Sequence, residues 1–365
     1  MGYPPDVTAA GIPLALSYDD VLLAPRRSRI RSRGEVDVST RLTRRLRLAA
    51  PVISANMDTV TESDMAIAMA RSGGMGIVHR FLTVERQVAE VTRVKRAEAL
   101  VIPDPHTVRP DATLAEARAE MARHGVTGLV VTDGDGRLAG LLTRRDEMLQ
   151  DDPAIPVRDL MTPRARLVTG SAATTSDEAA RLLRDARVEK LPLVDADDRL
   201  VGLITLRDLL QRAERPEATK DERGRLAVGA AIGVRDDYLE RARALADAGA
   251  DVLVLDIAHG HAESAIRALG AVRDTLGDAI DLIAGNVATA DGAADLARAG
   301  ADAVKVGVGP GSVCTTRVVA GVGVPQLSAV MECAEACARE GVPVIADGGI
   351  RSGGDVAKAI AAGAE

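Results

Sequence analysis

The 365-residue sequence has no tryptophan, one phenylalanine and three tyrosines. Proteins that hold single-stranded nucleic acid stack its bases on aromatic side chains, and this chain has almost no such platform. Nor is there a basic excess: 46 Lys and Arg stand against 53 Asp and Glu, a net charge of -7, so no overall field recruits a polyanion. No nucleic-acid partner is expected. No apolar run approaches the ~20 residues of a membrane span. The opening Met1-Gly2-Tyr3-Pro4-Pro5 lacks the basic-then-apolar pattern of a signal peptide. The default expectation is therefore a cytoplasmic protein without a membrane partner. The three cysteines, Cys314, Cys333 and Cys337, form no Cys-x-x-Cys pair, which argues against a disulfide framework or a zinc site. Cys333 and Cys337, four apart in a helical stretch, share one face and are expected to pack.

What is present is an α/β rhythm interrupted by a duplication. At 47% hydrophobic and 27% charged residues, the chain is long enough for two domains with separate cores. Pro51–Ala55 and Met75–His79 read as short buried strands. Helices are expected through Met65–Arg71, with Thr59 or Thr61 as N-cap, and over Thr83–Arg96. After Pro216 the rhythm resumes, with strands at Leu226–Ala231, Val252–Asp256, Leu282–Gly285, Ala303–Val306 and Val342–Ala346. Helices follow at Asp236–Ala248, Ala262–Leu276, Thr289–Ala299, Gln326–Arg339 and Gly354–Ala362. Apolar strands alternating with amphipathic helices predict a parallel sheet covered by helices. Between these stretches, Val126–Asp133 recurs as Val188–Asp195, and Gly140–Asp146 recurs as Gly202–Asp208, both 62 residues later.

The most informative run is Gly309-Pro310-Gly311-Ser312-Val313-Cys314-Thr315-Thr316-Arg317. It sets a cysteine on a glycine-rich loop at the carboxyl end of a predicted parallel strand, where α/β enzymes build their sites. Polar Ser312, Thr315 and Thr316 surround it. From these residues alone, a nucleophilic thiol beside a nucleotide phosphate and a buried structural thiol both remain open.

Further runs surround that loop in order: Leu16–Pro25, Asn56–Glu62, Ala284–Thr289, Ala320–Gln326 and Ala346–Ile350. Together with the cysteine loop they closely resemble the IMP dehydrogenase/GMP reductase family, and the resemblance covers essentially the whole chain. The doubled Gly-[Leu/Ile]-[Leu/Ile]-Thr-x-Arg-Asp resembles the cystathionine-β-synthase (CBS) module, whose paired repeats commonly bind adenine nucleotides. A nucleotide-free structural pair is the other reading of that duplication. The resemblance implies a (β/α)8 TIM barrel in two parts, 1–97 and 216–365, with a tandem CBS domain at 98–215 inserted between them. Seven βα pairs precede Glu365, whereas a closed barrel needs eight. The expectation is therefore a chain that stops one βα unit short, inactive as it stands, in which the residues completing the reaction lie beyond its end.

Carried over by residue, the resemblance makes Cys314 the nucleophile on carbon 2 of IMP, with NAD as hydride acceptor and Thr316 positioning substrate or water. Carbonyls of Gly309, Gly311 and Cys314 would hold a potassium ion. Asp347 would take the substrate ribose, while Ser312, Gly348 and Gly349 complete the substrate site at its phosphate. Asp256 and Asn286 would face NAD; helix capping is the alternative for Asp256. His79 and Lys305 either line the nucleotide cleft or are structural. In the inserted pair, Thr143, Asp146, Thr205 and Asp208 would contact an adenine or guanine nucleotide. The family implies a homotetramer or octamer. Ile257-Ala258, where dehydrogenases often carry serines, together with Asn56 and Ser328–Ala334, leans to the reductase; Val318–Pro325 and Thr219-Lys220-Asp221 lean to the dehydrogenase. A non-catalytic adenine-nucleotide sensor on a degenerate barrel is the reading from another class.

Overall fold

The computed structural model describes residues 13–97 and 100–365; Met1–Pro5 and the first two residues of the predicted insertion, Glu98 and Ala99, lie outside them. The chain divides into two compact units. One comprises Met1–Ala97, Glu217–Glu222 and Leu226–Glu365; the other comprises Glu98–Pro216 with Arg223–Arg225. No helix among the described residues is long and apolar enough to cross a membrane.

In the first unit the large sheet is built from β1 (Ile53–Ser54), β2 (Met75–Val78), β3 (Val228–Ile232), β4 (Val252–Asp256), β5 (Asp281–Val287), β6 (Ala303–Val306) and β7 (Val344–Ala346). All neighbours pair in parallel and in sequence order, with β1 and β7 at the edges. The helices that return the chain are α1 (Ser63–Arg71), α2 (Val84–Arg96), α3 (Tyr238–Asp247), α4 (Glu263–Leu276), α5 (Ala290–Arg298), α6 (Gln326–Ala338) and α7 (Gly353–Ala361).

Strand parity organises this unit, because successive side chains leave opposite faces of a strand. Leu253, Leu255, Val304, Val306 and Val344 join the helix-facing core, which also holds the fully buried Cys333 and Cys337. Met75, Ile77, Val252, Val254, Ile283, Ala303 and Ile345 form a second, inner cluster. A fully buried side chain such as Ile77 contributes about 1.5–3 kcal/mol. Leu42 and Leu48, on the hairpin that pairs Thr40–Arg41 with Arg47–Leu48, extend the inner cluster. Thr43 and Arg45 of that hairpin bond Asp281, the first residue of β5, at the amino end of the sheet.

Several boundaries differ from the sequence reading. The N-cap of α1 is Glu62, not Thr59 or Thr61. Thr61 is buried, and its hydroxyl donates to Ala55 O at 2.6 Å and bonds Ser54 Oγ at 2.8 Å. Strand β3 begins at Val228 rather than Leu226, since Ala227 N–H is spent on Thr219 O. Thr83 caps α2 by accepting from Arg86 N–H.

The second unit is duplicated down to its caps. Helix Leu114–His124 and strands Gly128–Thr132 and Leu138–Thr143 recur as Ser176–Ala186, Lys190–Val194 and Leu200–Thr205. Thr113 and Thr175 are the N-caps. The left-handed C-cap is Gly125 in one copy (φ 62°) and Arg187 in the other (φ 56°). The hairpin turns meet reciprocally: Leu138 N–H donates to Asp198 O at 2.9 Å, and Leu200 N–H to Gly136 O at 3.0 Å.

Candidate active site

The residue two positions beyond the last inner apolar side chain is His79 just past β2, Asp256 on β4, Gly285 on β5, Lys305 on β6 and Asp347 just past β7. Parity thus turns five positions inward at the carboxyl end of the sheet. A cavity of about 460 Å³ opens there, lined by residues that include Asn56, Asp58, Arg80, Asp256, Asn286, Lys305, Gly309, Cys314, Thr316 and Asp347.

Lys305 is 5% exposed. Its Nζ lies 2.9 Å from Asp256 Oδ1 and 2.5 Å from Asp347 Oδ2. Burial alone would lower the Lys305 pKa, but Asp347 and Asp256 outweigh it and raise the value, so the side chain is an ammonium. Burial likewise works against ionised Asp347, yet Lys305 and the Asn286 amide keep its pKa below the usual carboxylate value. Asn286 Nδ2 donates to Gly307 O at 2.8 Å and to Asp347 Oδ2 at 2.9 Å. Its Oδ1 is buried with no partner among the described residues. Asp256 is therefore an ion-pair member and not a helix cap; the N-cap of α4 is Ala262.

Cys314 is partly exposed, and its Sγ is hydrogen-bonded to Thr316 Oγ1 at 3.4 Å. Bonds from the Thr316 hydroxyl and backbone lower the thiol pKa, against smaller opposition from burial and from the charge of Asp347. Burial pushes Cys333 up to about 12 and Cys337 up to about 11. One thiol of the three is thus set apart by its environment. Gly348 (φ +90°) follows Asp347; a Cβ there would sit 2.9 Å from Gly311 N and 3.0 Å from Pro310 Cγ, so a side chain would collide with the cysteine loop. Gly349 lies against Pro310 and Tyr18. Tyr18 belongs to the Leu16–Pro25 run, which is tied down by Lys358 Nζ donating to Tyr18 O and by Ser328 Oγ accepting from Leu16 N–H.

The structure thus gathers Cys314, Thr316, Asp256, Asn286, Asp347 and Gly309 around one cavity. Ser312 is exposed on the outer turn of the loop and is not among the lining residues. Gly311 O already accepts from Cys314 N–H at 3.1 Å. His79 is 2% exposed and occupied, with Nε2 3.4 Å from Glu62 and Nδ1 accepting from Phe81 N–H, a structural role. Sequence reasoning missed Asp58, Arg80 and Phe81 as lining residues; their place just past the ends of β1 and β2 was the available signal.

In the second unit, Thr143 N–H and hydroxyl both donate to Asp146 Oδ2, at 2.8 and 2.6 Å. Thr205 Oγ1 donates to Asp208 Oδ2 at 2.5 Å. Each Thr-x-x-Asp therefore sits at the start of a helix, where such pairs serve as caps. Thr205 and Asp208 also line a cavity of about 600 Å³ together with Thr127 and Lys190.

Residues 15–365 match the family described as IMP dehydrogenase / GMP reductase domain. The inosine-5'-monophosphate dehydrogenase of Mycobacterium tuberculosis (strain H37Rv) is 52% identical over 351 residues, 96% of this chain and 66% of that protein. The chain thus spans just under two thirds of that relative's length. The Aquifex aeolicus enzyme of the same name is 50% identical over 96% of this chain and 71% of its own. Among solved structures, a GMP reductase variant from Trypanosoma brucei in complex with guanosine 5'-monophosphate superposes with a TM-score of 0.93 at 45% identity, covering 98% of this chain and 76% of that one.

Proposed function

The chain belongs to the IMP dehydrogenase/GMP reductase family, and on that premise we propose that it serves the NAD-dependent oxidation of IMP to XMP, with Cys314 as nucleophile. The observation that carries this reading is the partly exposed, acidified thiol of Cys314, which shares one cavity with Thr316, Asp256 and Asp347. A thiolate is both a strong nucleophile and a good leaving group, so it suits a reaction that makes and then breaks a bond to carbon. Sγ of Cys314 would bond to C2 of the purine, which loses a hydride, and water would later displace the sulfur to give XMP and the free thiol. NAD, when bound, supplies the acceptor for that hydride.

The remaining residues position and hold. Asp347 keeps a carboxylate available to the ribose hydroxyls of IMP. Ser312 and the Gly349 backbone would hold the phosphate, since backbone N–H groups suit an anion, and Gly348 would complete the substrate site. Asp256 and the unpartnered Oδ1 of Asn286 are acceptors fitted to the nicotinamide side of NAD. The carbonyls of Gly309, Gly311 and Cys314 are hard, uncharged donors that suit a monovalent cation such as potassium, which would order the loop.

A second reading, GMP reduction with NADPH, is favoured by the similarity to the trypanosomal reductase and by Ile257-Ala258. Assays with IMP plus NAD and with GMP plus NADPH separate the two, and calorimetric titration with IMP tests the site directly. Failure of full-length protein, with the C-terminal residues the family requires, to turn over either nucleotide would refute both. We further propose that the duplicated unit is a tandem CBS module in which Thr143, Asp146, Thr205 and Asp208 receive an adenine or guanine nucleotide. Titrating ATP and GTP into the protein checks this, and unchanged affinity in Asp208→Ala would refute the assignment. Assembly as a homotetramer or octamer, the family habit, is to be read by light scattering.

A further inference from the structure

Lys305 belongs to neither ligand-binding set proposed above, yet it touches both. It reaches Asp256 from one side and Asp347 from the other with a single ammonium group. Its place is fixed by parity on β6 and by Gly285 on β5, where a Cβ would stand 2.6 Å from Lys305 O and 2.8 Å from Lys305 Cβ. Strand β5 is thereby drawn close, and its next residue, Asn286, adds an amide donor to the same Asp347 oxygen.

We propose that Lys305 is the positioning residue that holds the substrate carboxylate, Asp347, and the cofactor carboxylate, Asp256, ionised and in register. The proposal rests on the reading of those two aspartates as ligand groups. Two carboxylates within reach of one atom cannot both stay charged in a confined site without a cation, and one of them takes up a proton instead. A protonated Asp347 gives up acceptor capacity that a ribose diol requires. Other charged groups face the triad: Asp58 and Arg80 from beyond β1 and β2, and Cys314 from the loop after β6. The nearest parts of β5, Gly285 and Asn286, carry no charge. Arg80 and Asp58 offset one another in sign, so Lys305 is the cation that answers the two strand-end aspartates.

The test measures IMP binding by isothermal titration between pH 5 and 8.5 for the wild type, Lys305→Met, Asp347→Asn and the double variant Lys305→Met/Asp256→Asn. Lys305→Met should weaken binding by up to about ten- to a hundredfold at the lower pH, the range set by one to two units of carboxylate pKa. The ratio of its Kd to that of the wild type should rise as pH drops and one carboxylate protonates. The double variant removes the second charge, so it should recover IMP binding and lose the added pH dependence. A merely structural lysine would give neither effect. Lys305→Met binding like wild type at every pH, or a double variant no better than the single, overturns the proposal while leaving the site reading intact. Absence of wild-type binding, or an Asp347→Asn variant that binds normally, overturns the site reading and the proposal with it. Should Lys305→Met not fold at pH 8, the double variant decides alone: recovered binding supports the role, and lost binding refutes it.

Discussion

The three cysteines provide an internal comparison, because one structure places them in opposite environments. The perturbation is a slow alkylating agent, iodoacetamide, applied to the native protein, with site-resolved mass spectrometry as the readout. Alkylation proceeds through the thiolate, and an ordinary thiol of pKa ~8.5 is roughly 3% ionised at pH 7. Cys333, held at about 12, is ionised to roughly one part in 100,000, and Cys337, at about 11, to roughly one in 10,000. A thiolate of higher pKa is intrinsically more nucleophilic, with a Brønsted slope of ~0.4–0.5, which returns part of the difference. The remaining advantage of Cys314 is about a hundredfold over Cys333 and about twentyfold over Cys337, before exposure counts. Both helix thiols are fully buried, so labelling them also requires the native packing to open. Because the Cys314 pKa is lowered, its rate should rise with pH and level off earlier than that of free cysteine. Thr316→Val, which removes the hydroxyl bonded to sulfur, should move that midpoint upward. Comparable labelling of Cys333 or Cys337 in folded protein, or a Cys314 midpoint at or above that of free cysteine, would refute the reasoning.

Three further outcomes are expected. Lys95 is 3% exposed and bridges Asp251 at 2.6 Å and Asp221 at 3.1 Å, so Lys95→Met should cost about 3–5 kcal/mol. The Asp251 pKa is already raised, mainly by burial, so the folded state favours its proton and the deficit should shrink from pH 8 towards pH 5 in urea denaturation. Arg187→Gly should stabilise the duplicated unit by about 1 kcal/mol, since Arg187 occupies the left-handed cap that Gly125 fills in the other copy. A lower urea midpoint would contradict this. Gly285→Ala should destabilise by about 1–3 kcal/mol through overpacking against Lys305, and should weaken IMP binding in calorimetry.

What could be read from the sequence followed from how local its cause was. The repeat was legible because two copies check each other: every helix and strand bound given above recurs at the same 62-residue offset. The α2 cap was legible because Thr83 and Arg86 are neighbours in the chain. The α1 cap was not, because the Thr61 hydroxyl turns inward to β1 rather than to its own helix. The Thr-x-x-Asp pairs show why a motif can be located without its role being fixed. A hydroxyl and a carboxylate three residues apart close a helix end by the same bonds that would hold a ribose. Asn286 was assigned to the cofactor side, yet its amide is directed at Asp347, a partner 61 residues away that no local pattern announces.

The site itself is where parity and burial conflict. Position 305 follows Ala303 on the inner face of β6, and positions 256 and 347 follow Val254 and Ile345 in the same way. A sheet selected for stability alone would continue with apolar side chains there, since replacing a buried ion set by packed hydrophobic groups is often neutral or stabilising by 1–4 kcal/mol. Instead there are two carboxylates for one ammonium. That set satisfies the lysine and leaves a net negative charge at the cavity wall. Excess acceptors at the end of a parallel sheet suit ligands rich in hydroxyl donors, as the ribose diols of a purine nucleotide and a dinucleotide are. The acidified Cys314 lines the same cavity and is the thiol proposed above as nucleophile. A scaffold that accepts this cost in stability at the carboxyl end of its sheet, and not among the apolar side chains of its inner cluster, is what the proposed chemistry at Cys314 requires.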